Sequence, residues 1–352
     1  YVDRAIYKLY PNLYIILIGE SATTKKSTAI NIGTDILINS IADHVNIAAD
    51  TETKASMVRD LCKRYEKTGI SDVHIAAGEF VNFVGDIKSD TMFTKYISEL
   101  WDCKARQKNG TIIRGHEVSN NIFCNMIAGS TEDWFKVGMA GEDIGGGFYS
   151  RLIPVPRDPS GRHNAHPEFA MTKSMWEAKE NCIHDLRIIQ GITGTFTWTN
   201  RARTMYEAWY EDEEYAVHKK PKQLRGYYGR KRDMVIKLSM ILSSNFGSDM
   251  KIKETDLEYA WSVMGENEQY LGKMIKYLNT TPEGARMEKV LEYIQSKSPV
   301  KRRKLIADLS NAGVTAKFLD EELIPTHGQT GSGIIRMTQG SGVTYEYVKT
   351  RE

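Results

Sequence analysis

The sequence predicts an α/β protein with a parallel sheet of about five strands, followed by a helical lid and a small C-terminal domain. Short apolar strands alternate with helices as far as residue 156, and the pattern is then mostly helical up to residue 278. After a Thr-Thr-Pro-Glu-Gly break, three short helices precede two strands with alternating polarity. The predicted domains are residues 1–160, 161–280 and 281–352.

Composition limits the classes of protein that fit. The chain has 352 residues, 26% of them charged and 41% hydrophobic, and no apolar run approaches the ~20 residues that span a membrane. A net charge of +2 gives no overall nucleic-acid signal, so any basic surface must be local. The chain begins at Tyr1 and enters its first strand within about a dozen residues, so we expect it to be an excerpt of a longer polypeptide. Four widely spaced cysteines are typical of reduced, mostly buried thiols in a cytoplasmic protein: Cys62, Cys103, Cys124 and Cys182.

The first strand and helix carry the strongest motif. An apolar run at residues 14–19 leads into a polar loop, and a helix is predicted from Lys26 to Ser40 with an apolar stripe of Ile30, Ile36, Leu37 and Ile38. This arrangement is typical of a P-loop, in which backbone N–H groups point at a phosphate. In that interpretation Lys26 reaches the β- and γ-phosphates, and the Ser27 hydroxyl binds Mg²⁺. The predicted nucleotide-binding residues are Gly19, Ser21, Thr24, Lys25, Lys26, Ser27 and Thr28.

The motif departs from the usual G-x-x-x-x-G-K-[ST] spacing. The gap between Gly19 and Lys26 is one residue longer, and Lys25 takes the place of the second glycine. A residue with a side chain must then accept the backbone angles that the loop requires. The alternative is an ordinary strand-to-helix turn, but basic residues are unfavourable at a helix N-terminus unless an anion is present.

The next strands contribute acidic and polar side chains. A short second strand is predicted at residues 45–50, and a third at residues 72–80 carries Glu79 at its exit. In P-loop ATPases an acidic residue there orders Mg²⁺ and polarises the attacking water. Gly78 stands where an aspartate is often found, so Glu79 would serve both roles or Mg²⁺ would be held through water. The alternative for Glu79 is a solvated carboxylate at a strand end.

The fourth and fifth strands complete the predicted sheet. The fourth, residues 121–131, is predicted to lie between the P-loop strand and the acidic strand. Ser130 is the first candidate for sensing the γ-phosphate or orienting water, and Thr131 and Asn125 are the next candidates. Arg151 follows a glycine run and precedes the fifth strand, a position that suits an arginine finger reaching a neighbouring subunit's nucleotide. The alternative for Arg151 is a surface ion pair. The basic segment 104–115 could line a channel for a polyanion or form a solvated hairpin.

Together these motifs resemble the helicase-type ATPases of phages and mobile elements, which are ring-forming P-loop motors akin to AAA+ and superfamily 3 helicases. The strings that carry the resemblance are HIAAGEF, NMIAGSTEDWF and GGGFYSRLIPVP, within about residues 10–280. The resemblance implies a P-loop NTPase (AAA+-like) core in which Lys26 and Ser27 bind ATP and Mg²⁺, Glu79 is the Walker B acid and Arg151 acts in trans. It also implies a homo-oligomeric ring, expected to be a hexamer, with a primase-polymerase module upstream. Its expected substrate is single-stranded DNA, with duplex DNA as a second candidate.

The remainder of the chain predicts a lid and a DNA-binding module. Four helices are predicted between residues 177 and 278, and the basic run 219–232 includes Tyr227 and Tyr228, a mixture that suits stacking on single-stranded nucleic acid or a solvated loop. Arg230 or Arg232 could contact the nucleotide from the lid. The C-terminal helices and hairpin predict a winged helix-turn-helix. Its third helix is acidic, so a protein partner stays open beside duplex DNA.

These observations predict an ATP-driven ring helicase in phage or mobile-element DNA replication, in the host cytoplasm. The alternative is an ATP-controlled replication initiator or scaffold that binds DNA through the winged helix without unwinding it. A third possibility is an AAA+ remodeller without a DNA substrate, whose channel would need exposed aromatic residues rather than basic loops.

Overall fold

The computed structural model describes residues 1–48, 52–84, 91–111, 115–132, 134–135, 147–159, 165–166, 171–217, 219, 225–278, 282–324, 335–339 and 342–347. The chain forms two compact units, Tyr1–Met274 and Ile275–Glu352. No described helix is both long enough and apolar enough to cross a lipid bilayer.

The first unit is built on a parallel sheet, as the sequence predicts for an α/β protein. The sheet order is β4-β7-β3-β8, and all three pairings are parallel. The strands of this unit are β1 (Val2–Asp3), β2 (Lys8–Leu9), β3 (Tyr14–Ile18), β4 (Ser71–Ala77), β5 (Arg106–Thr111), β6 (Gly115–Asn120), β7 (Ile122–Ser130), β8 (Leu152–Pro156), β9 (Thr197–Trp198) and β10 (Lys251–Ile252).

Helices flank this sheet and continue beyond it. Thr53 accepts a hydrogen bond from the Ser56 amide and so begins the second helix, which ends at a left-handed Gly69. The helices of the first unit are α1 (Lys26–Ile41), α2 (Lys54–Thr68), α3 (Phe80–Val84), α4 (Thr91–Leu100), α5 (Lys173–Gln190), α6 (Asn200–Val217), α7 (Arg225–Phe246) and α8 (Glu254–Leu278).

The central position of β3 decides where the predicted site lies. β7 pairs with β3 on one side and β4 lies beyond it, the strand order that the sequence predicts. In the register, Ile18 faces Ser130 on β7 and Pro156 on β8. The carboxyl ends of parallel strands meet at one edge of the sheet. We call this the carboxyl edge, and the opposite one the amino edge.

Two predicted strands are shorter in the structure. The described part of the second, residues 45–48, follows a 3₁₀ helix at Ala42–His44 and makes a single bridge, between Ile47 and His74. Residues 49 and 50 lie outside the described residues. The third strand ends at Ala77, three residues early, and Phe80 instead begins α3. The Phe80 ring is fully buried and stacks on Phe148 at 5.4 Å, which favours the helical turn over a longer strand.

Two burial predictions are wrong. Ile38, predicted on the apolar stripe of α1, is 46% exposed. Tyr227 and Tyr228, for which the sequence left open stacking on nucleic acid or a place in a solvated loop, lie in α7 and are 4% and 7% exposed. Their burial follows from Lys231, whose ammonium pairs with Glu213 and Glu268 and draws this face of α7 into the interior. Neither ring is available to a base.

The basic segment near residue 110 is a β-hairpin, the second of its two predicted forms. β5 and β6 pair antiparallel, with Arg106 opposite Asn120. Cys103 and Cys124 are buried free thiols, as predicted, whereas Cys182 is exposed.

The second unit has the three helices and the hairpin that the sequence predicts. It consists of α9 (Pro282–Lys297), β11 (Val300–Lys301), α10 (Arg302–Asp308), α11 (Ala316–Phe318) continued by a π turn (Leu319–Leu323), β12 (Ile335–Gln339) and β13 (Val343–Tyr347). β11, which the sequence did not predict, pairs with β13 to give the antiparallel order β11-β13-β12. The core includes Val290, Ile294, Leu305, Leu319, Leu323 and Tyr345.

Candidate functional site

The loop at residues 19–25 joins β3 to α1 at the carboxyl edge. Two non-glycine residues in it are left-handed, Ala22 at φ 62° and Lys25 at φ 53°. Lys25 is the N-cap position of α1, and no side chain caps the helix there. The first turn of α1 also has no acidic residue. An anion would therefore meet backbone N–H groups and a favourable helix dipole without competition from an acidic side chain of that turn.

Lys26 holds the loop together from within. Its side chain is buried, and its ammonium donates to the backbone oxygens of Gly19 at 2.9 Å and Glu20 at 3.0 Å and to Thr24 Oγ1 at 3.2 Å. Thr24 Oγ1 in turn donates to the Glu20 oxygen at 2.8 Å. All three acceptors are neutral, so an incoming phosphate could replace some of them around the same ammonium.

Ser27 faces the end of β4. Its hydroxyl donates to the Gly78 carbonyl oxygen at 3.3 Å. A Cβ atom on Gly78 would lie 3.3 Å from Ser27 Oγ, which is tighter than most such contacts. The glycine that the sequence showed in place of an aspartate is therefore explained by the close approach of α1 to β4.

Gly129, which sequence reasoning missed, has the same function on β7. A Cβ atom there would lie 2.2 Å from the Gly78 oxygen and 3.6 Å from Lys26 Cβ. A glycine inside a strand often marks a close backbone approach, and this was the available signal. Gly78 and Gly129 together let β4 and β7 come close under the start of α1.

Glu79 and Ser130 lie at the same edge. Glu79 follows Gly78 and is half-buried, and no hydrogen bond or ion pair from the described residues engages its carboxylate. Ser130 is buried, and its backbone oxygen accepts a hydrogen bond from the Gly19 amide at 3.2 Å. Its hydroxyl donates to the Thr131 oxygen at 3.2 Å, so Ser130 contacts the loop through its main chain.

The remaining predicted residues divide between the two edges. Ser21 and Thr28 are exposed on the loop and first turn, and Thr131 Oγ1 accepts from the Trp134 amide at 3.4 Å. Asn125 is not part of this group. Its Oδ1 accepts a hydrogen bond from the Leu13 amide, five residues along β7 from Ser130 and towards the amino edge.

Arg151 lies at the amino edge, directly before β8. It donates to the Gly147 oxygen at 2.6 Å, and its guanidinium lies 3.4 Å from an Asp102 oxygen and 5.7 Å from the Trp101 ring centre. The ion pair is the alternative that the sequence left open. Because β3 is five residues long, the two edges are separated by about 15 Å, so Arg151 cannot reach the phosphate site of its own chain.

The two lid arginines lie apart. Arg230 Nε donates to Ser150 Oγ at 3.1 Å, and the guanidinium lies 5.4 Å from the Trp101 ring centre, beside Arg151. Burial and the Arg151 charge lower the pKa of Arg230. Arg232 instead pairs with Glu214 and lies over Tyr210.

The donor set suits a nucleotide and magnesium. Mg²⁺ in such sites is held by one or two protein oxygens together with substrate phosphates and waters. Ser27 Oγ and the Glu79 carboxylate are oxygen donors on adjoining elements, and the described residues contain no cluster of three or more potential ligands that would hold a metal by itself. No known protein-family model matches the chain, and no curated protein sequence is significantly similar to it.

Proposed function

We propose that this chain is an ATP-hydrolysing motor of the ring-helicase type, acting in phage or mobile-element DNA replication. One observation carries the proposal: Lys26 and Ser27 at the start of α1, Glu79 after β4 and Ser130 at the end of β7 come from three separate sequence segments and meet at the carboxyl edge of a parallel sheet. Ligands of open α/β sheets bind at that edge. The central position of β3, with its loop leading into α1, supports the phosphate site proposed here.

Each residue has a role in this proposal. The Lys26 ammonium and the amides at the start of α1 hold the phosphates, and the Ser27 hydroxyl is released from Gly78 to bind the metal. Magnesium, when bound, neutralises charge on the β- and γ-phosphates. Glu79 orients the attacking water, and its carboxylate is available because no described side chain pairs with it.

Arg151 is proposed to act on a neighbouring copy's nucleotide. Its position at the amino edge supports this, because it lies too far from its own phosphate site. Its side chain is 11% exposed, so it would have to turn outward to reach a neighbour. The Asp102 pair would have to open or turn towards the nucleotide. A homo-oligomeric ring, expected to be a hexamer, follows from this shared site.

DNA is the proposed substrate of the motor. The second unit, interpreted as a winged helix-turn-helix, supports DNA binding through its fold. It equally supports the second candidate, an initiator or scaffold that binds DNA without unwinding it. Arg302 is paired with Asp320 on the π turn, so its guanidinium is engaged within the unit and is not counted among the groups that would contact DNA in either case.

Calorimetry with Mg-ATP tests the nucleotide site. We expect wild-type protein to bind and Lys26→Ala to lose at least tenfold in affinity, because its charge-assisted bonds are lost. Lys179→Ala, which removes a surface pair with Asp35, is the matched control and should bind like wild type. Wild-type protein that produces no heat with Mg-ATP would refute the proposal.

The helicase and the initiator proposals predict different results in experiments with DNA. For a motor, single-stranded DNA should raise the ATPase rate, and mixing Arg151→Ala with Glu79→Gln protein should restore part of the activity through composite sites. For an initiator, DNA should bind without fork unwinding, and removal of residues 284–352 should abolish that binding.

A further inference from the structure

A cavity with several charged side chains in its lining lies at the amino edge of the sheet, away from the proposed nucleotide site. Its volume is about 250 Å³, enough for a tetrahedral oxyanion and several waters. We call it the amino-edge pocket. The residues that define it here are Asn12, Trp101, Asp102, Arg230, Asp233 and Lys237.

Lys237 is the unusual member. It is 1% exposed, and lysines are almost never fully buried unless they are paired. Its ammonium donates to Asn12 Oδ1 at 2.6 Å and lies 3.7 Å from the Trp101 ring centre. No carboxylate among the described residues lies within ion-pair distance of it. The asparagine and the indole therefore position a cation without neutralising it.

Arg230 adds a second cation with free donors. Its Nε is occupied by Ser150 Oγ, while its two terminal nitrogens have no hydrogen-bond partner among the described residues. The indole Nε1 of Trp101 is also buried without a partner in that part of the chain. Asn12 Nδ2 is already used by the Trp101 and Cys124 oxygens. The pocket thus has unfilled donors on Arg230, Lys237 and Trp101.

The acidic residues do not supply the missing acceptors. Asp102 pairs with Arg151, and Asp233, which also lines the pocket, makes no hydrogen bond to a described residue. Burial raises the pKa of Asp233, against the opposing effects of Lys237, Arg4, Arg230 and Arg232. Lys8 lines the mouth as a further cation. A ligand with several oxygen acceptors and a negative charge would complement this set.

We propose that the amino-edge pocket binds a phosphate group, held by Arg230 and Lys237 against the Trp101 indole. The group could be free orthophosphate or the terminal phosphate of a nucleotide on a second copy of this chain. Binding of free phosphate is independent of the proposed ATPase, whereas the second source depends on that proposed function. In the second case Arg151, Arg230 and Lys237 together contact the terminal phosphate of the neighbour's nucleotide.

The test begins with orthophosphate titrated into Lys26→Ala protein comprising residues 1–352 at constant ionic strength, followed by calorimetry. This background removes the main phosphate contact of the P-loop, so saturable binding that remains is assigned to the amino-edge pocket. Adding Arg230→Gln should weaken that binding at least tenfold. Arg232→Gln is the matched control on the same helix, because Arg232 pairs with Glu214 instead, and it should bind like the parent.

Two further variants protect the test against a loss of folding. Trp101→Phe keeps the ring and removes the Nε1 donor, so we expect a several-fold weaker affinity with an unchanged far-ultraviolet spectrum. Arg230→Lys should restore part of the affinity lost in Arg230→Gln. The proposal that the pocket binds phosphate would be refuted by an absence of saturable phosphate binding in the Lys26→Ala background. It would also be refuted if Arg232→Gln lowered the phosphate affinity as much as Arg230→Gln does. Neither result would affect the proposed nucleotide site.

A mixing experiment then separates the two sources of phosphate. Arg230→Gln protein retains its P-loop, and Lys26→Ala protein retains the pocket. If the pocket binds the terminal phosphate of a neighbour's nucleotide, the mixture recovers ATPase activity that neither protein has alone. Orthophosphate should then inhibit this recovered activity. If orthophosphate binds but the mixture stays inactive, the pocket is supported as a free-phosphate site.

Discussion

Lys25→Gly tests whether the irregular phosphate loop is strained at the position of its missing glycine. Lys25 has φ 53°, in the left-handed region that favours glycine. Its side chain is exposed and caps nothing, so the substitution removes a backbone strain and one charge at the start of α1. Lys25→Ala is the matched control, because it removes the same charge and keeps a Cβ atom.

The expected difference can be worked out from the backbone. A left-handed residue with a Cβ costs roughly 1–2 kcal/mol, and glycine loses about 0.5–1 kcal/mol more backbone entropy on folding than alanine. Lys25→Gly should therefore be more stable than Lys25→Ala by roughly 0.8 kcal/mol. For a unit of this size that corresponds to about 2 °C in melting temperature.

Thermal and urea unfolding of the two variants without nucleotide measure this difference. Both variants should also be slightly more stable than wild type, because a cation at a helix N-terminus is unfavourable by about 0.3–1 kcal/mol. With Mg-ATP bound, wild type should be more stable than both variants, because each variant lacks the positive charge of Lys25 beside the phosphates. An alanine variant as stable as the glycine variant would show that charge alone matters and that the loop angle is unstrained.

Three further outcomes follow from the structure. Gly129→Ala should lower stability by about 1–3 kcal/mol in urea unfolding, because its Cβ would meet the Gly78 oxygen at 2.2 Å, whereas Gly33→Ala in α1, with open space around it, should raise stability by about 0.5–1 kcal/mol; equal effects would contradict the packing described. Burial lowers the pKa of Lys237 to about 8 against the opposing effects of Cys103, Asp233 and Asp102. The folded chain therefore releases this proton before the unfolded chain does, and the free energy of unfolding should rise between pH about 8 and 10.5, less so in Lys237→Met; a parallel pH dependence in both proteins would argue against a buried ammonium. Arg64→Ala should lower stability by more than the ~1 kcal/mol typical of exposed pairs, because its partly buried guanidinium is paired with Asp72 at 2.6 Å; Lys173→Ala, in an exposed pair with Glu177, should change the urea midpoint little, and equal shifts would contradict this.

Local patterns were enough to find the elements that form the site. The predicted strand at residues 14–19 and the predicted helix from Lys26 match β3 and α1 to within a residue, because an apolar run and a helical period are properties of the local sequence. The fourth strand matches β7 equally well. Its position between β3 and β4 was also predicted, although that expectation came from the strand order typical of P-loop proteins.

Other features depend on contacts between distant segments. Tyr227 and Tyr228 lie in a basic run that resembles a surface, yet Glu213 and Glu268 pair with Lys231 and the rings are buried. Asn125 shares a strand with Ser130 but lies far from the loop, since its place along the strand puts it nearer the opposite edge.

The sequence by itself determined the segments of β3, α1 and β7, and it placed the candidate phosphate loop, because both follow from periodicity and spacing within about twenty residues. Only the tertiary structure decided that Gly78 and Gly129 make room for Ser27 and Lys26, and that Lys237 meets Asn12 across 225 positions of the chain. The physical reason is that close packing and buried charge are set by which surfaces meet, and no local pattern records a partner so far along the chain.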